Sequence, residues 1–170
     1  MTSSGGFRVR PATEADVAAV AAMVEEFEDH LNTLANHDEI LERPKPAALT
    51  AEALRRDGFG ADPWFSGLLA EQEGAPVGYM LYHFGYWADR AARTLVVADL
   101  FVRETARGQG AGTALMHEAA RILRQRDGSL IVWTVWDRNP AAIAFYQRLG
   151  VRTESEELLM LWPSESWPAV

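Results

Sequence analysis

Apolar residues recur at two spacings along the chain, and the two spacings predict helices and strands. Val20, Val24 and Phe27 lie at helical intervals after the capping residue Thr13 and predict a first helix that ends near His30. Further helices are predicted from Thr50 to Arg56, from the glycine-rich loop after Val102 to about Arg126, and from Asn139 to Gly150. Predicted strands span residues 7–11, 64–72, 75–86, 94–102, 130–135 and 157–162. The order β-α-α-β-β-β-α-β-α-β predicts a mixed sheet with helices on both faces.

The helix after the glycine-rich loop has an amphipathic pattern. Leu115, Ala119 and Leu123 predict its buried face, whereas His117 and Glu118 are assigned to the opposite face. The four histidines of the chain show no metal-ligand spacing, and we expect no metal cofactor.

Length and composition narrow the class of protein. Residues 7–170 are expected to form a single domain, and residues 1–6 a flexible N-terminal tail. The formal net charge of −8 argues against a nucleic-acid partner, which would need a basic face, and suits an amine-bearing partner. The lack of cysteine excludes disulfides, thiolate metal sites and a cysteine nucleophile. Because no apolar run is long enough to span a bilayer and the N-terminus lacks an apolar signal region, we expect a cytoplasmic protein without membrane contact.

The loop Arg107–Gly112, with the sequence RGQGAG, follows an apolar strand and precedes a helix. Helix N-termini present unpaired N–H groups that bind anions, and glycines at Gly108, Gly110 and Gly112 clear the approach to them. Arg107 adds a fixed positive charge. The alternative is a loop whose glycines serve tight packing, but the arginine and the flanking elements favour a diphosphate site. The loop matches neither the P-loop nor the G-x-G-x-x-G motif.

The pattern Arg107-x-x-Gly110-x-Gly112 after a strand resembles the acetyl-CoA signature of the GCN5-related N-acetyltransferases (the GNAT family). The segment NPAAIAFYQRLG, Asn139–Gly150, resembles the Asn-to-Phe-Tyr helix of that family. The closer resemblance is to the diamine (spermidine/spermine) acetyltransferase branch, which has counterparts, in the same order, of RPATEAD (10–16), DGFGADPWF (57–65), ADLFV (98–102), RGQGAG (107–112) and FYQRLG (145–150). The resemblance implies the GNAT fold: an α/β (α+β) protein with a mixed, mostly antiparallel central sheet flanked by helices on both faces.

The resemblance also implies where acetyl-CoA binds. The backbone of Leu100, Phe101 and Val102 is expected to pair with the pantetheine arm, while the strand 130–135 splays away. Backbone amides are expected to hold the diphosphate, and the residues that supply them are Gly108, Gln109, Gly110, Ala111, Gly112 and Thr113. Asn139 and Tyr146 are expected on the far side of the cofactor channel, with Tyr146 as the acid that protonates the CoA thiolate. The alternative for Tyr146 is a half-buried aromatic residue with a packing role.

The expected amine site departs from that of the polyamine-specific relatives. Those enzymes carry glutamate where this chain has Ala98, and a Tyr-Glu pair where it has His30-Leu31. Our hypothesis is that Asp99, or a water held by Glu26, removes the amine proton instead. Strand alternation puts Ala98 and Asp99 on opposite faces unless a bulge re-aims one of them.

Other residues are candidates for contact with the amine. His30 stands at the family's substrate position, and Trp87 is a candidate for packing on a cationic amine. His83 lies on a strand that would flank the site, although core or edge packing is the favoured reading. The glutamates at 154, 156 and 157 form a cluster that we expect to be solvated, with an attraction for polyamines as the alternative.

The expected function is an N-acetyltransferase that moves the acetyl group of acetyl-CoA to a small primary amine by direct attack. A diamine, a polyamine or a lysine-like amino acid is the expected acceptor, with the amino acid preferred to spermidine. The alternatives are a protein N-terminal or lysine acetyltransferase and a non-catalytic acyl-CoA-binding module. By resemblance the protein is expected to be a homodimer that pairs through its C-terminal region.

Overall fold

A six-stranded sheet organises the part of the chain that the computed structural model describes, which is residues 2–4, 6–34 and 49–153. Its strands, adjacent in chain order, are β1 (Thr2–Ser4), β2 (Phe7–Pro11), β3 (Ser66–Gln72), β4 (Ala75–Trp87), β5 (Ala92–Val102) and β6 (Leu130–Val132). Neighbouring strands are antiparallel except β5 and β6, which are parallel. The mixed, mostly antiparallel sheet expected from the sequence is confirmed.

Four α-helices cover the two faces of this sheet within the described ranges. They are α1 (Val17–Leu34), α2 (Ala51–Gly58), α3 (Ala111–Arg124) and α4 (Pro140–Arg148). Helices α1 and α2 pack on one face, against Leu69, Tyr79, Leu81 and Phe101. Helices α3 and α4 pack on the other, against residues such as Met80. The prediction of helices on both faces is therefore confirmed.

Local signals in the sequence set several of these boundaries. The Thr50 hydroxyl accepts a hydrogen bond from the Ala53 N–H at 3.2 Å and caps α2. The Asn139 side chain accepts one from the Ala142 N–H at 3.0 Å, and α4 begins at Pro140, as predicted. The hairpin predicted around Glu73 joins β3 to β4.

Other boundaries differ from the prediction. Thr2–Ser4 pair with β2, so the segment 1–6 contains a strand where we expected only a tail. Helix α1 continues past His30 to Leu34, and β6 ends at Val132 instead of Val135. The predicted last strand and the cluster of glutamates at 154, 156 and 157 lie outside the described residues.

Glu118 of α3 is another exception, because it is only 3% exposed although its spacing assigned it to the helix face opposite the core. Its carboxylate accepts two hydrogen bonds from the Arg121 guanidinium, at 2.6 and 2.8 Å. The ion pair one turn along the helix compensates for the buried charge.

The sheet opens between β5 and β6. The two strands pair only from Thr94 with Leu130 to Val96 with Val132. From residue 97 to residue 102, the outer edge of β5 has no strand partner among the described residues. This opening is the splay that the resemblance implied, and it determines where the site lies.

Candidate active site

A β-bulge interrupts β5 at the open edge of the sheet. Leu81 of β4 pairs with Asp99, but the next residue, Tyr82, pairs with Val97, so Ala98 has no partner. Val97 therefore packs with the α3 side of the sheet, while Asp99 shares the α1 side with Phe101. Without the bulge, the period of two would place Val97 and Asp99 on the same face.

Asp99 is held by two hydrogen bonds. The hydroxyl of the fully buried Tyr79 donates to Asp99 Oδ2 at 2.5 Å, and the backbone N–H of Leu100 donates to the same carboxylate. Burial nevertheless raises the pKa of Asp99 to about 6, and the negative charge of Glu28 on α1 acts in the same direction. The carboxylate is thus fixed in position, ionised at pH 7, and close to the pH range in which a general base works best.

Tyr146 of α4 lies close enough to Asp99 for the two groups to interact electrostatically. Its ring packs on Trp133, with ring centroids 4.7 Å apart. Burial and, to a smaller extent, the charge of Asp99 raise the pKa of Tyr146 to about 12. The phenol therefore stays protonated at neutral pH and keeps its capacity to donate a hydrogen bond. The structure brings together the two residues that we singled out for catalysis.

The glycine-rich loop forms a cradle of backbone at the start of α3. Gly108 and Gly110 have φ angles of +72° and +102°, and a Cβ at either position would project into open space. Gly110 is the N-cap of α3, and no side chain caps this helix. A helix of 14 residues thus presents its first N–H groups, those of Ala111, Gly112 and Thr113, without a capping side chain.

Gly112 serves a different purpose from the two preceding glycines. A Cβ at this position would lie 3.1 Å from the Phe145 ring, so its absence lets α4 pack closely on α3. The tight-packing alternative therefore applies to Gly112, whereas the anion reading suits Gly108 and Gly110.

Side chains hold this loop against the end of β5. The Arg107 Nε donates to the Val102 carbonyl at 2.9 Å, and its guanidinium lies 5.6 Å from the centre of the Phe101 ring. The Gln109 amide donates to the Thr105 carbonyl at 2.8 Å. The loop conformation is therefore fixed by the chain itself before any anion binds.

The strand expected to pair with the pantetheine arm has its free edge in the splay. The Arg103 N–H donates to the Val77 carbonyl of β4 at 2.9 Å. Because hydrogen-bonded and non-hydrogen-bonded pairs alternate in an antiparallel ladder, the backbone groups of Leu100 and Val102 point away from β4. They face the opening between β5 and β6. The Val102 carbonyl already accepts from Arg107 and the Leu100 N–H donates to Asp99, so the Leu100 carbonyl and the Val102 N–H are the groups left for an extended ligand that binds as an added strand.

Three residues that we expected at the amine site are engaged elsewhere. The Glu26 carboxylate accepts hydrogen bonds from Arg103 at 2.8–3.1 Å, at the far end of β5. His30 lies near Arg107 at the glycine-rich loop, where burial and that positive charge lower the pKa of its imidazole.

Trp87 is the third of these residues. Trp87 ends β4, six residues past Leu81, the residue that pairs with Asp99, and is therefore roughly 20 Å from that pair along the strand. The Arg90 guanidinium lies over the Trp87 ring, 5.4 Å from its centroid. The assignments of Glu26, His30 and Trp87 to the amine site stay predictions, and the described contacts of all three are with arginines away from Asp99. Asn139 lies at the start of α4 and is buried, with its side-chain oxygen occupied in capping.

The residues around Asp99 that sequence reasoning missed are Tyr79 and Glu28. Glu28 follows Val24 by four residues and so lies on the apolar stripe of α1, a signal that favours it over Glu26. Nothing in the sequence pointed to Tyr79, because its contact with Asp99 depends on the register of two strands.

Ala98, which we expected in the amine site, is exposed and lines an open groove. Among the described residues no group of histidine, aspartate and glutamate side chains is placed to hold a metal ion. No helix in the same ranges has the length and apolar character that crossing a membrane requires.

Comparison with known proteins agrees with this geometry. The sequence model of the acetyltransferase (GNAT) family matches residues 25–151, which include the bulge, the glycine-rich loop and α4. The chain belongs to the GNAT family. GNAT enzymes are acetyl-CoA-dependent N-acetyltransferases, and the open strand edge and the uncapped helix of this GNAT domain fit the pantetheine arm and the diphosphate respectively.

Individual relatives narrow the branch of the GNAT family. The chain is 34% identical to mouse thialysine N-epsilon-acetyltransferase over 88% of its own length and 87% of the relative. It is 28% identical to human spermidine/spermine N(1)-acetyltransferase-like protein 1, over 92% of this chain and 22% of that protein. An integron cassette protein from the mobile metagenome of Vibrio cholerae has the same fold, with a TM-score of 0.72 and 18% identity over 95% of this chain and 94% of the other.

Proposed function

We propose that the protein acetylates a small primary amine, a lysine-like amino acid in preference to spermidine, with Asp99 as the base and Tyr146 as the acid. The bulge at Ala98 is the observation that carries this proposal. It turns the Asp99 carboxylate onto the α1 face beside the open edge of β5, within electrostatic range of Tyr146.

Asp99 would act on the acceptor before the acyl transfer. A protonated amine has no lone pair, so the ionised carboxylate accepts a proton from the acceptor nitrogen, and the hydrogen bond from Tyr79 holds the carboxylate in place. The freed lone pair attacks the thioester carbonyl, and a backbone N–H at the open edge of β5 stabilises the oxyanion.

Tyr146 would act when the tetrahedral intermediate collapses. The C–S bond breaks, the acetyl group remains on the acceptor nitrogen, and the sulfur leaves as a thiolate. The nitrogen, which became positively charged in the attack, releases its second proton to solvent, and solvent reprotonates the tyrosine after each turnover. The neutral phenol donates a hydrogen bond, and then its proton, to that sulfur. With its pKa raised to about 12, Tyr146 is protonated in essentially every molecule at pH 7 and needs no prior proton uptake.

The preference for a lysine-like acceptor follows from the strength of the base. A carboxylate with a pKa of about 6 removes a proton more readily from an amine whose own pKa is lowered by a nearby electron-withdrawing group than from spermidine. Relatives that act on thialysine, whose sulfur has this effect, support the assignment. Ala98 provides no carboxylate of its own to bind a second amine.

A panel of acceptors tests the proposal. Purified protein is mixed with acetyl-CoA and thialysine, lysine, spermidine, a diamine or an unstructured lysine peptide, and CoA release is followed. We expect thialysine to give the highest kcat/KM, and Asp99→Asn to lower it by about 10²-fold or more. Peptide turnover alone would favour a protein acetyltransferase, and binding of acetyl-CoA without turnover would favour an acyl-CoA-binding module.

The homodimer and the cytoplasmic location stay predictions. Analytical ultracentrifugation tests the homodimer.

A further inference from the structure

An open groove of about 700 Å³ runs beside the bulge on β5. It lies where β4 continues past the start of β3, because β3 begins at Ser66 opposite Tyr82 while β4 extends to Trp87. The groove is lined by Asp62, Pro63, Trp64, Phe65, His83, Phe84 and Ala98. Ala98 is thus both a wall of the groove and the chain neighbour of Asp99.

The loop that forms the outer wall is anchored on either side of its exposed tryptophan. The Trp64 N–H donates to the Asp57 carbonyl at the end of α2 at 2.7 Å. The next residue, Phe65, packs so closely on Gly58 that a Cβ there would lie 2.5 Å from its ring. The Trp64 side chain nevertheless remains 78% exposed, so the loop presents an indole to solvent from a fixed backbone.

Trp64 differs in one respect from three other aromatic residues of this protein. Arginines lie over the rings of Trp87, Phe84 and Phe101 at 4.3–5.6 Å. Within the described ranges no arginine lies over Trp64, so the face of its ring is open to a cation from solution.

The charge of the groove is also unbalanced. Asp62 is exposed and forms no ion pair with any described residue, and no lysine or arginine lines the groove. An aspartate and an open indole face in one groove are suited to an ammonium group. The Arg126 guanidinium lies over the ring of Phe84 and is not itself a lining residue.

We propose that this groove binds a second, distal ammonium group of the acceptor, with Asp62 as its counter-charge and Trp64 as its cation–π face. The inference rests on the proposed function, because it assumes that the reacting nitrogen lies at Asp99 on the other side of Ala98. The distal ammonium has two possible sources, the α-amino group of a lysine-like amino acid and the second amine of a diamine, and both satisfy the same site.

Four acceptors with the same five-carbon spacing separate the contribution of a distal ammonium group from that of a carboxylate. Lysine carries a distal ammonium and a carboxylate, cadaverine only the ammonium, 6-aminohexanoate only the carboxylate, and n-pentylamine neither. We expect kcat/KM for cadaverine to exceed that for n-pentylamine by about three- to tenfold, as an exposed ion pair and a cation–π contact would give. A lysine value above that of cadaverine identifies an amino acid as the source, and the reverse order identifies a diamine.

Substitutions then locate the effect. Asp62→Asn is expected to remove most of the difference between cadaverine and n-pentylamine, while leaving n-pentylamine turnover within twofold of wild type. Trp64→Ala should reduce the difference as well, and Trp64→Phe should restore part of it. Asp89→Asn, an exposed aspartate in the turn between β4 and β5, is the matched control and should change neither acceptor.

If Asp62→Asn lowers kcat/KM equally for cadaverine and n-pentylamine, or for neither, the assignment of the groove is overturned. If wild type turns over none of the amines, the proposed function fails, and the groove is then judged by calorimetric binding of cadaverine and n-pentylamine. Stronger binding of cadaverine to wild type than to Asp62→Asn supports the site, and equal binding refutes it.

Discussion

The Tyr79 hydroxyl donates a hydrogen bond to the Asp99 carboxylate at 2.5 Å, between neighbouring strands of the sheet. The contact exists because the bulge at Ala98 turns Asp99 onto the face where Tyr79 is already buried. Burial makes the carboxylate a stronger base, and the tyrosine limits that effect by stabilising the charged form. The pair sets both the position and the basicity of the group to which we assign proton removal.

Replacing Tyr79 by phenylalanine removes this donor and leaves the burial of Asp99 unchanged. Because the hydrogen bond lowers the pKa of Asp99, its loss is expected to raise that pKa and to move the acidic limb of the kcat/KM profile to higher pH. Acetyl-CoA affinity should stay near wild type. Tyr82→Phe removes the hydroxyl of another buried tyrosine of β4 and is the control. An acidic limb at the same pH in Tyr79→Phe and wild type would show that Tyr79 does not influence the pKa of the base.

The raised pKa of Asp99 also predicts a cost in stability. A carboxyl whose pKa is about 6 in the folded chain and 3.8 in the unfolded chain binds more protons when folded, so its contribution to stability falls as the pH rises from about 4 to 6. The difference corresponds to about 3 kcal/mol, at 1.36 kcal/mol per pKa unit. Asp16, whose pKa is lowered by hydrogen bonds from Arg10, changes stability in the opposite sense, so only a comparison of variants isolates Asp99.

We therefore expect the free energy of unfolding of Asp99→Asn, relative to that of wild type, to rise by on the order of 3 kcal/mol when the pH is raised from 4 to 8. Urea denaturation of both proteins at the two pH values measures it. The variant should be much less active than wild type and more stable at pH 8, as is usual when a catalytic group is held in an unfavourable environment. Parallel stability changes of the two proteins between the two pH values would contradict the environment described for Asp99.

The glycine-rich loop predicts a cofactor-specific effect. Acetyl-CoA binds the folded chain and should raise Tm by mass action. Gly110→Glu places a carboxylate in the open space in front of α3 and should abolish that rise. Gly74→Glu is the matched control, because Gly74 also has a positive φ (+82°) and an open Cβ position but lies in the β3–β4 hairpin. If acetyl-CoA still raises the Tm of Gly110→Glu, the diphosphate does not bind at this loop.

Tyr146→Phe tests the acid. The substitution deletes one hydroxyl and keeps the ring that packs on Trp133, so folding and acetyl-CoA affinity should be preserved. Turnover is expected to fall by about 10²-fold or more, the usual scale of general acid catalysis. Single-turnover measurements of CoA release at saturating acceptor give the rate of the chemical step. A rate within a few-fold of wild type would leave Tyr146 with a packing role only.

Much of this fold could be predicted from the sequence because its signals are local. Thr50 and Asn139 cap helices through bonds to residues three positions away, and such contacts do not depend on tertiary structure. The bulge at Ala98 and the contact from Tyr79 to Asp99 could not be predicted, since they depend on the register between β4 and β5. The pairing of Glu26 with Arg103 could not be predicted either, since helical phase separates Glu26 by about 200° from Glu28, the residue whose charge acts on Asp99.

Ala98→Glu is the substitution that tests how the site selects its acceptor. Ala98 is the bulged residue and lines the groove, so a glutamate there would add a carboxylate between Asp99 and Asp62 without displacing buried side chains. A second anion beside the reacting nitrogen favours acceptors with several positive charges, and it also disfavours ionisation of Asp99, which strengthens that base. Both effects favour an amine whose protonated form dominates at pH 7.

We therefore expect wild type to prefer thialysine over spermidine and Ala98→Glu to shift the ratio of their kcat/KM values toward spermidine, by about tenfold for one added charge pair in a partly desolvated site. Ala98→Gln has the same size without the charge and should leave the ratio unchanged. A wild type that already prefers spermidine, together with an Ala98→Glu variant of the same ratio, would mean that selection of the acceptor does not depend on this bulge.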